Sequence, residues 1–228
     1  MKQKLLKSLA IAAVAASAVV PAKALTFGLD YVFSGAGIPG NPGPWGTATF
    51  SDVAGGVQLK MDATGLTGGE FFGSWYFNLN SSLNPANLNI AAQSNVGVDP
   101  SSVGVYKGAN LFKADGDGFF DILFDFTSSG ANRLGAGDSI TYLITGIPGL
   151  TAADFNSVSV GGPVSGFHTA AHLQATAVNG QSLWAADGDT PGGPVPEPAT
   201  YLVLAAFVGM AVYAKRRVDL VNRLALAR

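Results

Sequence analysis

The sequence predicts an all-β protein, an antiparallel two-sheet sandwich of jelly-roll type, with an N-terminal signal peptide and a single C-terminal transmembrane helix. Three observations lead there. About ten short apolar segments alternate with polar residues at period two, and glycine, asparagine and proline punctuate them at the spacing of sandwiches and barrels. Residues 1–24 and 199–217 are apolar runs bordered by lysine and arginine. Between them the composition allows almost no helix.

At the front, Lys2, Lys4 and Lys7 precede the apolar run 9–20, and Ala22-Lys23-Ala24 places small residues at the two positions that a signal peptidase reads. Cleavage is expected between Ala24 and Leu25, with Ala16-Ser17-Ala18 as a second site and an uncleaved anchor as the alternative. This leaves residues 25–186 as the ectodomain, long enough for one domain with a real core.

Up to residue 194 that exported part carries Lys60, Lys107, Lys113 and Arg133 against thirteen carboxylates, a net charge of −9. Such a surface repels phosphate backbones, which excludes nucleic acid as a natural partner and favours cations or neutral glycans. Cysteine is absent, so disulfides, thiolate metal sites and cysteine nucleophiles are excluded together.

Along the ectodomain, residues 25–33 alternate as a strand with one buried face, and a Gly/Pro-rich loop follows over 34–46. Residues 47–53 and 57–64 form the clearest hairpin, across Ala54-Gly55-Gly56. The segment 70–80 places Phe71, Trp75, Phe77 and Leu79 on one face and Phe72 and Tyr76 on the other, as in a central strand or a concave aromatic surface. Further strands are expected at 88–91, 103–107, 119–126, 140–145, 157–160, 173–178 and 182–185, with Asn179-Gly180 as a two-residue turn joining the last two. Residues 151–154 read as a single helical turn capped by Thr151, and no other helix is expected before the tail.

Asp115-Gly116-Asp117-Gly118-Phe119-Phe120-Asp121 has the spacing of extracellular calcium loops, in which Asp115, Asp117 and Asp121 would converge on one hard cation. No other cofactor is expected. The competing and favoured reading is an Asp-Gly hairpin turn. Asp121 and Asp125 share a strand face but stand ~13 Å apart, too far for a glycosidase pair. His168 and His172 have the spacing of a zinc helix without its glutamate, in surroundings that predict strand, so structural histidines are expected. No serine lies in a G-x-S-x-G elbow and no phosphate loop is present.

Residues 187–198 form a Gly/Pro-rich linker. It runs into Val195-Pro196-Glu197-Pro198-Ala199, an uncharged segment over 199–214, and the basic cluster Lys215-Arg216-Arg217 that opens a cytoplasmic tail over 215–228. The two prolines disfavour helix before Pro198, so a helix is expected to begin there. Its sixteen residues would span about 24 Å. That is slightly short of the usual span, so crossing requires Lys215 to snorkel or the bilayer to thin.

These three ordered elements resemble the PEP-CTERM sorting signal of Gram-negative bacteria that make exopolysaccharide. The resemblance implies handling by an exosortase, a membrane protease acting near Pro-Glu-Pro. It also implies an inner-membrane tether with the ectodomain in the periplasm, followed by delivery to the cell surface or matrix. Such signals usually stop soon after the arginines, whereas eleven residues follow here. Ala170-Ala171-His172-Leu173-Gln174 further resembles an Ala-Ala-His-x-Gln segment of some PEP-CTERM ectodomains.

The leading expectation is therefore a non-enzymatic surface or matrix protein with a structural or adhesive role, and exopolysaccharide as a partner. The first alternative is a calcium-dependent carbohydrate-binding module, with Trp45, Trp75, Tyr76 and Trp184 as stacking candidates where exposed. A secreted hydrolase is the second.

Overall fold

In a computed structural model, the structure describes residues 24–188, except residues 117, 130–131, 163–165 and 178. The expected signal peptide up to residue 23, the linker from residue 189, the transmembrane segment, the basic tail and Asp117 lie outside the described residues. Among the described residues, no helix is long and apolar enough to cross a membrane.

The described residues are all-β with a large antiparallel sheet. The strands are β1 (Ala24–Gly35), β2 (Thr47–Val53), β3 (Gly56–Asp62), β4 (Phe71–Phe77), β5 (Asn89–Val96), β6 (Gly104–Lys113), β7 (Gly118–Asp125), β8 (Leu134–Gly135), β9 (Ser139–Thr145), β10 (Val160–Gly161), β11 (Thr169–Gln174) and β12 (Leu183–Asp187). Neighbours run β10-β7-β4-β11-β12-β1-β2-β3-β9-β5, with β6 also on β7 and β8 also on β4. Strand β1 joins two halves: Ala24 to Gly28 pair with β2, and Leu29 to Gly35 pair with β12 across two register breaks. Ala24, expected to end the signal peptide, sits in this strand opposite Ser51.

Period-two patterning directs the core. In β3, Val57, Leu59 and Met61 are fully buried while Gln58 and Lys60 are exposed. Aromatic rings then lock the halves face to face: Phe50 of β2 meets Phe77 of β4 with centroids 5.3 Å apart, and Phe124 of β7 meets Tyr142 of β9 at 4.9 Å. Alternation in the second half sends Trp75, Ala171 and Ala185 into this core and Tyr76, Ala170 and Ala186 into a smaller cluster on the opposite face. Strand β4 is therefore buried along its whole length, as a central strand between β7 and β11.

Four local expectations are corrected. Phe72, assigned with Tyr76, joins Trp75 in the main core, and Phe71 instead lies under the Arg133 guanidinium, 4.4 Å from its ring centroid. The cause is a bulge: His172 pairs with Ser74 and Leu173 with Phe72, so Gly73 is an extra residue that inverts the alternation before it. A side chain at Gly73 would place its Cβ 2.2 Å from Gln174 Nε2.

The strand expected over 173–178 is instead Thr169–Gln174, ended by Ala175 at φ 53°. Asn179 and Gly180 do adopt left-handed φ of 63° and 60°, but they cap a longer loop closed by Thr176 N–H donating to Gln181 O. The strand expected over 157–160 reduces to Val160–Gly161. The helical turn appears as the 3₁₀ segment Ala152–Phe155, where Asp154 accepts from Thr151 N and Oγ1 at 2.8 and 2.9 Å. Two further 3₁₀ turns, Pro85–Asn87 and Pro100–Ser102, were not expected; Asn84 and Asp99 cap them ahead of a proline.

Candidate functional site

Polar chemistry gathers on the outer face of the second half. Alternation along β11 turns Ala171 and Leu173 inward and Ala170, His172 and Gln174 outward, which gives the Ala-Ala-His-x-Gln segment a packing logic of its own. His172 lies opposite Trp184 of β12 and stacks on its indole, centroids 4.7 Å apart. The Gln174 amide, a donor at Nε2, lies 3.3 Å from His172 Nδ1, which accepts from it and so leaves the neutral ring's proton on Nε2. Above this pair sits the tip of the β6–β7 hairpin, where Asp115 adopts φ 40° and accepts a hydrogen bond from Ser34 Oγ.

Burial pushes the His172 imidazole below its ordinary value, while the Asp115 charge pulls it back up. Because the folded value is lowered, the unfolded chain takes up this proton first as pH falls. Stability is expected to be flat above the ordinary imidazole value of 6.5 and to decline as pH drops from there toward the lower folded value. His172→Gln should remove that part of the decline, read as the urea midpoint against pH.

His168 has different surroundings. Its Nδ1 lies 2.7 Å from Asp187 Oδ2 and its ring stacks on Phe27 at 5.0 Å, while Asp187 Oδ1 accepts from Thr169 N at 3.1 Å. Both partners of this contact are buried. The histidines thus sit on a strand boundary and a strand, and they make separate contacts.

The three aspartates of the calcium spacing are not drawn together where they are described. Asp115 is engaged with Ser34. Asp121 is buried in β7, where Oδ1 accepts from Asn110 N at 2.7 Å and Oδ2 from Leu79 N at 2.9 Å. Residues 114–116 are described as part of the turn between β6 and β7. Among the described residues, which omit Asp117, no three His, Asp or Glu side chains are grouped to hold a metal ion.

The aromatic candidates are corrected by their burial. Trp75 is fully buried and donates from Nε1 to Thr169 Oγ1 at 2.7 Å. Trp45 is buried and donates to Asn41 O at 2.7 Å, and Tyr76 is buried between Phe120 and Trp184. None of the three offers a ring face to a sugar, because each completes a core cluster and the two indoles spend their N–H groups inside the fold. Trp184 is half-buried under His172.

Glu70 and Asn78 are among the buried polar residues for which the sequence predicts no role. Glu70, 2% exposed, accepts four hydrogen bonds: Oε1 from Gly40 N and Ala177 N, and Oε2 from Thr67 N and Oγ1. Asn78, also 2% exposed, has a side-chain Nδ2 with no hydrogen-bond partner. A single acid at the start of an aromatic strand was the available signal for Glu70; Asn78 had none.

The last candidate site lies beyond the described residues, at 195–217. Residues 194–217 match the family model of the PEP-CTERM protein-sorting motif. The chain carries a PEP-CTERM sorting signal. The match takes in Pro196-Glu197-Pro198 and closes on Arg217, so residues 218–228 fall outside it. No curated protein and no solved structure matches the chain. PEP-CTERM signals are processed by exosortase, a membrane protein, and the motif implies export and membrane-anchored sorting toward the cell surface.

Proposed function

We propose that this chain is a non-catalytic surface or matrix protein: its β-rich ectodomain is exported behind a cleaved signal peptide and held at the inner membrane by its tail. An exosortase then releases it to a structural or adhesive role, with exopolysaccharide as the matrix it meets. The observation that carries this reading is the sorting motif at 194–217. An exported part, residues 25–194, with thirteen carboxylates and four basic residues suits contact with neutral glycans and hydrated matrix better than with nucleic acid. The same reading takes the folded-over sheet as a two-sheet sandwich of jelly-roll type, supported by the aromatic contacts between β2 and β4 and between β7 and β9.

Fractionation of the native host tests it. The wild-type protein is expected at the cell surface, and the double variant Pro196→Ala, Glu197→Ala is expected to stay in the membrane fraction. Equal surface amounts of the two would contradict the proposal.

A further inference from the structure

A cavity of about 430 Å³ opens where the end of β4 meets the irregular stretch of β6 and the loop leading into β10. Three features build it. Asp121 pins two of its walls by holding Leu79 N and Asn110 N, the latter in a left-handed turn at φ 50°. Asn78 lines it with a buried Nδ2 that has no partner. Leu83, Val158 and Val160 supply apolar wall, and the two valines are 43% and 49% exposed at the rim.

A buried amide donor without an acceptor is costly, and native folds retain one mainly where something else completes it. The surroundings restrict what that is. Among the described residues no basic side chain lines the cavity, so an anion has no counter-charge there. Among the described residues Asp121 is the one carboxylate in the lining, and two backbone amides already use it, too little for a hard cation that takes six to eight oxygens. An ionised carboxylate has about four lone-pair sites, so Asp121 can accept further hydroxyl protons beside the free Asn78 donor. Donor, acceptor and aliphatic wall within one small-ligand volume suit a polyhydroxylated ring, whose hydroxyls both donate and accept and whose C–H face is apolar.

We infer that this cavity binds one neutral pyranose unit of a glycan, with Asn78 Nδ2 donating to a ring hydroxyl and Asp121 accepting from a neighbouring one. This goes beyond sorting and does not rest on it, since a misrouted protein would bind equally well in vitro.

The test is calorimetric titration of the purified full chain with methyl glucoside, methyl galactoside, methyl mannoside and methyl N-acetylglucosaminide at millimolar concentrations. At least one is expected to saturate. Asn78→Leu, which keeps the shape and removes the orphan donor, should leave the melting temperature equal or higher and weaken binding about tenfold or more. Val160→Arg, at the exposed rim, should block binding without unfolding the domain. Four results would overturn the inference: no saturation with any glycoside; binding unchanged in both variants; calcium or inorganic phosphate binding that Asn78→Leu abolishes in place of the sugar; or loss on Trp184→Ala with none on Asn78→Leu, which would move recognition to the outer face.

Discussion

Glu70→Ala is expected to lower the stability of the ectodomain by about 3–5 kcal/mol. The carboxylate joins three stretches that are distant in sequence. Through Oε1 it holds Gly40 of the β1–β2 loop and Ala177 of the β11–β12 loop, and through Oε2 it holds Thr67 just ahead of its own strand. Truncation leaves three backbone N–H groups without their acceptor in a partly buried setting, and each such loss costs about 1–3 kcal/mol before relaxation. Water entering the vacated space would recover part of that, so the total falls below the simple sum. Gly40 adds a steric restriction, since a Cβ there would lie 2.3 Å from Thr67 Oγ1. Urea denaturation of the exported domain in its full chain checks it: a shift in midpoint at constant slope is expected, and a shift worth under about 1 kcal/mol would show that the loops are held by other contacts.

Trp75→Ala should cost a similar amount, about 3–5 kcal/mol, and lower the melting temperature by about 10 °C. The indole is fully buried at the centre of the main core, 4.8 Å from the Phe72 ring and 6.0 Å from Phe77. Its N–H donates to Thr169 Oγ1, which in turn donates to Tyr76 O, so the substitution opens a cavity and also loosens a hydrogen-bonded link between β4 and β11. Trp75→Phe separates the two contributions: it retains most of the apolar volume and loses the N–H, and should cost about 1–2 kcal/mol. If Trp75→Ala were no worse than Trp75→Phe, the cavity would be collapsing and the packing would be looser than the burial implies.

Local pattern and long-range pairing divide the sheet between them. Alternation over residues 57–61 is a local signal, set by a pleat that repeats every two residues, and it gave the right buried face for Val57, Leu59 and Met61. In residues 71–77 the same rule failed at one point, because the bulge at Gly73 is specified jointly with β11, almost one hundred residues downstream. Asp121 resembled a calcium ligand for the same reason. Nothing near it in sequence announces that Leu79, 42 residues away, and Asn110, 11 away, will donate to its two oxygens. Glu70 and Asn78 are likewise set by loops that meet in space.

The tail is the opposite case. Pro196-Glu197-Pro198, the apolar segment and the arginines act as a linear signal whose order carries the information, so it was legible at once and coincides with the matched motif. Address is written locally, while binding chemistry is assembled from four or five distant segments.

The most direct measurement is intact-mass analysis of the mature protein from its native host, for wild type and for Pro196→Ala, Glu197→Ala. The expected wild-type mass begins near Leu25 and ends near the Pro-Glu-Pro motif, without residues 215–228. The variant should retain Arg228. A wild-type mass that still includes Arg228, the same as the variant's, would contradict processing at the sorting signal and with it the proposed route to the surface.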